Sequence, residues 1–247
     1  MIEPREQAGP ARRRFDAAIV DLDGTLVDTL DDFVAALNLM LRDLSLPGVD
    51  RDLVRPLVGK GSEHLIKSVL ALVKNSKSAI KNVAFKSSVS HDDEIYNRAW
   101  QSYQRHYRAI NGHFASVYPG AVAGLQQLKA AGLKLACLTN KPGAFALDLL
   151  RIKGLDGFFE AVFGGDAFER KKPDPLPLIK TCAALGTQPK RTLMIGDSSN
   201  DALAARAAGC PVLLVTYGYN HGEPIESVDA DGWLDSLAHW RQGFPAS

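Results

Sequence analysis

The chain is poor in cysteine, in net charge and in long apolar stretches, and each shortage removes a class of protein. Its 247 residues include three cysteines, Cys137, Cys182 and Cys210. That odd number, without metal-ligand spacing, argues against a disulfide framework or a thiolate metal site. Cys137 lies within an apolar strand run, so the three read as core or near-core thiols and point to a reducing, cytoplasmic setting. A formal net charge of +1 provides no whole-molecule field to attract nucleic acid or a membrane surface. No apolar run reaches the ~18 residues of a membrane span. The opening residues are polar, carry Arg12, Arg13 and Arg14, and lack the apolar stretch of a signal peptide. Residues 1–14 are therefore expected to form a disordered extension, and three arginines without a second basic patch do not make a nucleic-acid arm. There is no internal repeat and no low-complexity segment. With 46% apolar residues, the chain can build one large domain, or one domain carrying a smaller insert.

Against this background Asp21-Leu22-Asp23-Gly24-Thr25-Leu26 stands out. It follows Ala17-Ala18-Ile19-Val20, an apolar run that reads as a buried strand. Asp21 and Asp23 thus emerge where open α/β sheets place their chemistry. Along a strand, i and i+2 point alike, and neighbouring anions need a cation, a shared proton or free solvation. A lone Asp-x-Asp would be a solvated turn, but three other segments answer this one. Leu135-Ala136-Cys137-Leu138-Thr139-Asn140 is a second apolar strand ending in a hydroxyl and an amide. Lys171-Lys172-Pro173-Asp174-Pro175 is a basic loop stiffened by prolines. Leu193-Met194-Ile195-Gly196-Asp197 is a strand, a glycine and an aspartate, with Asp201 one helical turn later. Asp197 alone would read as a helix N-cap. Steps of 33 residues from Thr139 to Lys172 and 25 from Lys172 to Asp197 suit single strand-helix units, whereas the 118 residues between Asp21 and Thr139 must contain an insertion.

The pattern between is helical. Leu30, Phe33, Val34, Leu37, Leu41 and Leu44 recur at steps of three and four, and Pro47-Gly48 is expected to end that helix. Ser62 reads as the N-cap of a second helix and Ser90 as the start of a third. No strand is expected from about Asp28 to Ala115. Strands follow over Leu133–Thr139, Glu160–Phe163, Thr192–Ile195 and Pro211–Thr216, alternating with helices. With the first strand that makes five, implying an α/β fold with a doubly wound parallel sheet. The expected division is a Rossmann-like core of residues 15–27 and 116–247 and an inserted all-helical cap of residues 28–115. Within that cap the stretch from Leu65 to Ser90 carries Lys67, Lys74, Lys77, Lys81 and Lys86 and no acidic residue. They read as a solvated face rather than as an attractor of phosphate.

The ordered set Asp-x-Asp-Gly-Thr, Thr-Asn, Lys-Pro-x-Pro and Gly-Asp-x-x-x-Asp resembles the haloacid dehalogenase superfamily, mostly phosphatases, from about Ala17 to Leu237. The resemblance implies that Asp21 is a nucleophile forming an aspartyl-phosphate and that Asp23 is the general acid and then the base. It also implies a Mg²⁺ ion held by Asp21, the backbone carbonyl of Asp23, and Asp197. Asp201 would support the site through water or by orienting Lys172. Gly24, Thr25, Thr139, Asn140 and Lys172 would bind phosphate, with Thr139 and Lys172 also serving catalysis. Val58-Gly59-Lys60-Gly61, Tyr118-Pro119-Gly120, Thr139-Asn140-Lys141-Pro142 and the run from Thr216 to Ile225 resemble the phosphoglycolate phosphatase subfamily. In that likeness Gly59, Lys60 and Gly61 would meet a small anion such as 2-phosphoglycolate, Lys60 as counter-charge. The implied partner is a small phosphorylated metabolite, with no nucleic acid and no membrane, and the protein would be a monomer or homodimer. Other small-phosphate or sugar-phosphate phosphatases, a phosphoglucomutase and a non-catalytic phosphate-binding module remain as alternatives. A dehalogenase is disfavoured, because carbon–halogen hydrolysis has no use for Asp23.

Overall fold

The computed structural model describes residues 14–78 and 89–241. The expected extension up to residue 13, together with Lys81 and Lys86, lies outside these residues, as do the side chains of Lys77 and Ser90. The first apolar run is strand β1 (Ala17–Val20), buried throughout. It lies inside a six-stranded sheet of order β5-β4-β1-β6-β7-β8. The other strands are β4 (Lys134–Leu138), β5 (Ala161–Phe163), β6 (Thr192–Gly196), β7 (Val212–Val215) and β8 (Gly232–Leu234). Every neighbouring pair is parallel. Five strands were expected from the sequence, and the sixth is β8, an edge strand of three residues between Asp231 and Asp235 with Trp233 facing solvent. A run so short and so flanked by charge has no periodicity to recognise.

Helices cover both faces, as parallel sheets require. One face buries Ala18, Val20, Leu193, Ile195 and Leu213 against α5 (Ala121–Ala130) and α6 (Gly143–Ile152). The other buries Ile19, Leu138, Met194 and Leu214 against α7 (Leu176–Ala184) and α8 (Ser199–Ala208). The alternation along β1 follows from the two-residue period of a strand. Because β4 and β6 flank β1 on opposite sides, the strand order reverses there, and the crevice of a doubly wound sheet opens at that point.

Between β1 and α5 the chain runs through four α-helices among the described residues: α1 (Leu30–Asp43), α2 (Arg51–Val54), α3 (Ser62–Ser78) and α4 (Val89–Ile110). Leu30, Phe33, Leu37, Met40 and Leu41 form the buried stripe of α1 and pack on Ile66 and Val69 of α3 and on Tyr103 and Tyr107 of α4. Helix α1 ends at Asp43, before Pro47-Gly48, and Ser45 turns the chain at φ 55°. Ser62 is the first residue of α3 rather than the residue before it. The segment is not wholly helical from Asp28 to Ala115. Asp28 belongs to β2 (Val27–Asp28), which pairs antiparallel with β3 (Ser116–Val117). Two-residue strands leave no sequence pattern, so this ribbon was not expected. The carboxylate of Asp32 in α1, fully buried, accepts from the backbone N–H groups of Gly112 at 2.6 Å and Phe114 at 2.7 Å, fixing the return of the chain from α4. No helix among the described residues is long and apolar enough to cross a membrane.

Candidate active site

In the sheet register Val20 stands opposite Cys137 on one side and Ile195 on the other. The three strands therefore release Asp21, Thr139 and Asp197 at nearly one level, side by side. The loop before α7 lays Lys172 across them. Its ammonium, almost without solvent contact, lies 2.6 Å from Asp201 Oδ1, 2.8 Å from the carbonyl of Leu138 and 3.0 Å from Asp21 Oδ1. Lys171, its neighbour, is exposed. Burial alone would push the Lys172 ammonium down, but the carboxylates of Asp201 and Asp21 outweigh it and hold the group above the ordinary lysine value.

Helix α8 opens with a reciprocal cap. The Asp201 carboxylate accepts from Ser198 N at 3.2 Å and Ser198 Oγ at 2.9 Å, and Asp201 N donates to the Ser198 carbonyl at 3.1 Å. Asp201 thus both fixes the turn that carries Asp197 and anchors Lys172. Asp197 is held from two sides: Oδ1 accepts from Thr25 Oγ1 at 3.2 Å and Oδ2 from Tyr219 N at 2.6 Å. Gly24, at φ +87°, lets the chain pass so close that a Cβ there would sit 2.1 Å from Asp197 Oδ2. Gly24 and Thr25 therefore contact Asp197 and do not line the pocket described below.

Carboxyl oxygens of Asp21, Asp197 and Asp201 lie within 4.8 Å of one another. Burial is the main force raising the Asp21 carboxyl to about 7, against the pull of Lys172 and with the help of Asp201 and Asp23. Burial, then Asp201 and Asp21, also raises Asp197. Asp21 Oδ1 is buried without a well-formed hydrogen bond. Four buried carboxylates, Asp21, Asp23, Asp197 and Asp201, face two buried ammonium groups, Lys141 and Lys172, leaving two negative charges in excess. An all-oxygen donor set, a buried carboxylate oxygen that accepts no hydrogen bond and a formal deficit of two positive charges fit a hard divalent cation.

Asp23 faces away from this cluster. Its Oδ1 accepts from Thr29 Oγ1 at 2.8 Å and from Lys141 Nζ at 2.9 Å. Lys141 also donates to the Tyr107 hydroxyl at 2.6 Å, and its ammonium lies 4.6 Å from the Phe33 ring centre and 4.9 Å from that of Tyr107. Local sequence does not signal this burial, because a lysine after a polar strand end reads as solvated. It is made by aromatic residues from α1 and α4.

A pocket of about 400 Å³, mouth included, opens between these strand ends and α3, lined by Asp21, Asp23, Gly59, Gly61, Ser62 and Lys141 among others. Gly59 and Gly61 take φ of +105° and +86°. The carbonyl of Gly59 accepts from Asn140 Nδ2 at 3.0 Å and from Asn200 Nδ2 at 3.2 Å, tying this loop to the sheet. Lys60 is exposed and does not line the pocket. Asn140 also bonds Lys172 in both directions, Nδ2 to O at 2.9 Å and Oδ1 from N at 3.1 Å. Its side-chain donors are thereby fully used, so Asn140 can donate to a phosphate only through its backbone. Thr139 lines the same pocket, its hydroxyl oxygen accepting from Lys141 N at 3.2 Å.

This arrangement sits in a recognisable lineage. Residues 18–215 match the family described as haloacid dehalogenase-like hydrolase, and the chain belongs to that family. It is 40% identical over 222 residues to a protein of Thiobacillus denitrificans named phosphoglycolate phosphatase, covering 90% of this chain and 92% of the relative. A protein of the same name from Nitrosospira multiformis is 39% identical over 221 residues, with the same coverage. Among solved structures, the crystal structure of a predicted phosphoglycolate phosphatase from Haemophilus somnus matches with a TM-score of 0.83 at 32% identity, over 92% of this chain and 97% of that one.

Proposed function

We propose that the protein hydrolyses 2-phosphoglycolate to glycolate and inorganic phosphate. The observation that carries the reading is the convergence of Asp21, Asp197, Asp201 and Lys172 on adjacent strand tips beside Asp23. Relatives at about 40% identity across most of both chains, named for that activity, supply the substrate.

A carboxylate oxygen of Asp21 attacks phosphorus, and the bond from phosphorus to the ester oxygen breaks. Asp23 protonates that oxygen, which leaves as the hydroxyl of glycolate. Asp23 then takes a proton from water as the water oxygen attacks phosphorus. The bond from phosphorus to Asp21 breaks, phosphate departs and the carboxylate is restored. Lys172 offsets charge on Asp21 and on the phosphoryl oxygens, and Thr139 with the backbone of Asn140 holds those oxygens. Asp21, Asp197 and the carbonyl of Asp23 would hold Mg²⁺, whose charge neutralises phosphate oxygens when it is bound. The helices between β2 and β3 act as a cap that shields the pocket from water, with Gly59 and Gly61 at its edge.

Phosphate release from 2-phosphoglycolate, glucose 6-phosphate and pyrophosphate, with and without EDTA, tests the reading. Metal-dependent preference for 2-phosphoglycolate is expected, together with loss of turnover in Asp21→Asn. Equal rates on the three compounds would overturn the substrate, and near-native kcat in Asp21→Asn would overturn the covalent route.

A further inference from the structure

Only two lysines are buried among the described residues, Lys141 and Lys172, and their surroundings differ in one respect. Lys172 is surrounded by three acceptors, donating to Asp201 Oδ1 and the Leu138 carbonyl and pairing with Asp21 Oδ1 at 3.0 Å. Lys141 has two acceptors among the described residues, Asp23 Oδ1 and the Tyr107 hydroxyl. Lys141 also lines the pocket that holds Asp21, Gly59, Gly61 and Ser62. The rings of Phe33 and Tyr107 lie under it and keep water from that side.

We propose that Lys141 is the specificity-determining residue of the site, the cation that receives the carboxylate of the substrate. This rests on the phosphoglycolate reading above and adds a residue to it. The leaving oxygen must lie near Asp23, which protonates it. Lys141 is hydrogen-bonded to Asp23 at 2.9 Å, so a carboxylate one methylene from the leaving oxygen is brought toward the ammonium. Once Asp23 has given up its proton, a carboxylate beside it needs a positive charge between the two anions, and Lys141 is hydrogen-bonded at that place. Ser62, at the start of the 17-residue helix α3, lines the opposite wall, so the positive end of that helix faces the same space. In this water-poor pocket a charged hydrogen bond discriminates strongly. Lys60, the cation that the sequence offered for this role, is exposed and stands outside the pocket.

The test compares 2-phosphoglycolate with ethyl phosphate, which has the same carbon chain without the carboxylate, using full-length protein saturated with Mg²⁺. In wild type, kcat/KM should favour 2-phosphoglycolate. Lys141→Met should lower that preference about 10- to 100-fold, the worth of one charge-assisted hydrogen bond. Most of the change should fall in KM for 2-phosphoglycolate, and inhibition by glycolate should weaken in parallel. If Lys141→Met does not fold, Lys141→Gln, which keeps a donor for Asp23, is read in the same way. Equal losses on both esters, with the preference intact, would overturn the proposal and leave Lys141 as a positioning residue for Asp23. A wild type that does not distinguish the two esters would instead overturn the substrate reading itself.

Discussion

Replacing Lys172 by methionine keeps an unbranched side chain, shorter by its terminal atom, and removes its charge. Its ammonium lies within 3.0 Å of two carboxylates and is all but sealed from solvent. After the change, four buried carboxylates face one ammonium group, Lys141. Removing one partner of a buried ion pair costs about 3–5 kcal/mol, since the remaining charge is stranded. For a chain of this size each kcal/mol moves the melting temperature by about 2–4 °C, so a fall of about 6–20 °C is expected in EDTA. Mg²⁺ restores part of the missing positive charge, so the gap to wild type should narrow when it is added. Turnover should not recover, because a fixed donor to the reacting oxygens is worth about 10²–10³ in kcat. Differential scanning fluorimetry with and without Mg²⁺, beside a phosphate-release assay, reads both effects. A variant melting within ~1 °C of wild type in EDTA, or keeping kcat/KM within about tenfold, would refute this account of Lys172.

Three further expectations follow from the same geometry. Asp21 rises from 3.8 to about 7, mainly through burial, and Asp197 rises with it, so between about pH 4 and 7 the folded protein binds more protons than the unfolded chain. Metal-free wild type should therefore lose stability relative to Asp21→Asn as pH climbs through that window. Urea midpoints in EDTA that converge instead would contradict it. Gly24→Ala puts a methyl 2.1 Å from Asp197 Oδ2 at a φ of +87°, so Asp197 must shift. Half-saturation by Mg²⁺, followed by activity, should rise about tenfold or more, and an unchanged value would show that Asp197 does not hold the ion. The Tyr219 hydroxyl accepts from Thr29 N at 3.0 Å and Leu30 N at 3.2 Å, and donates to Asp28 Oδ1. It caps α1, whose own Thr29 makes no side-chain cap. Tyr219→Phe should cost about 1–2 kcal/mol in urea unfolding; an unaltered midpoint would place the capping elsewhere.

The core of the fold was readable because each of its longer strands is an apolar run ending in a chemically distinctive residue: Asp21 after β1, Thr139 after β4, Asp197 after β6. Periodicity likewise exposed α1, where Leu30, Phe33, Leu37 and Leu41 repeat at helical spacing. The elements that escaped were those too short to show a period, β2, β3 and the edge strand β8. Among side chains, Lys141 escaped and Lys60 was offered in its place. A lysine is buried by what packs on it, here Phe33 and Tyr107 from helices distant in sequence, and local sequence does not carry that information. Conversely Lys60 sits between two glycines that do reach the pocket, and adjacency in the chain is a poor guide to direction in a loop. Lys67 behaved as its surroundings suggested, exposed and paired with Glu63 at 2.7 Å.

The ribbon of β2 and β3 has an architectural consequence. The polypeptide departs for its helices at Asp28 and comes back at Ser116, residues that face each other across one ladder. Both stalks of the helical unit thus rise from a single footing about 5 Å wide. A foreign helical module with ends equally close could be grafted at this footing without disturbing a strand of the sheet. Asp21, Asp23, Lys141 and Lys172 would stay with the sheet through such an exchange, because all four lie outside the segment between Asp28 and Ser116.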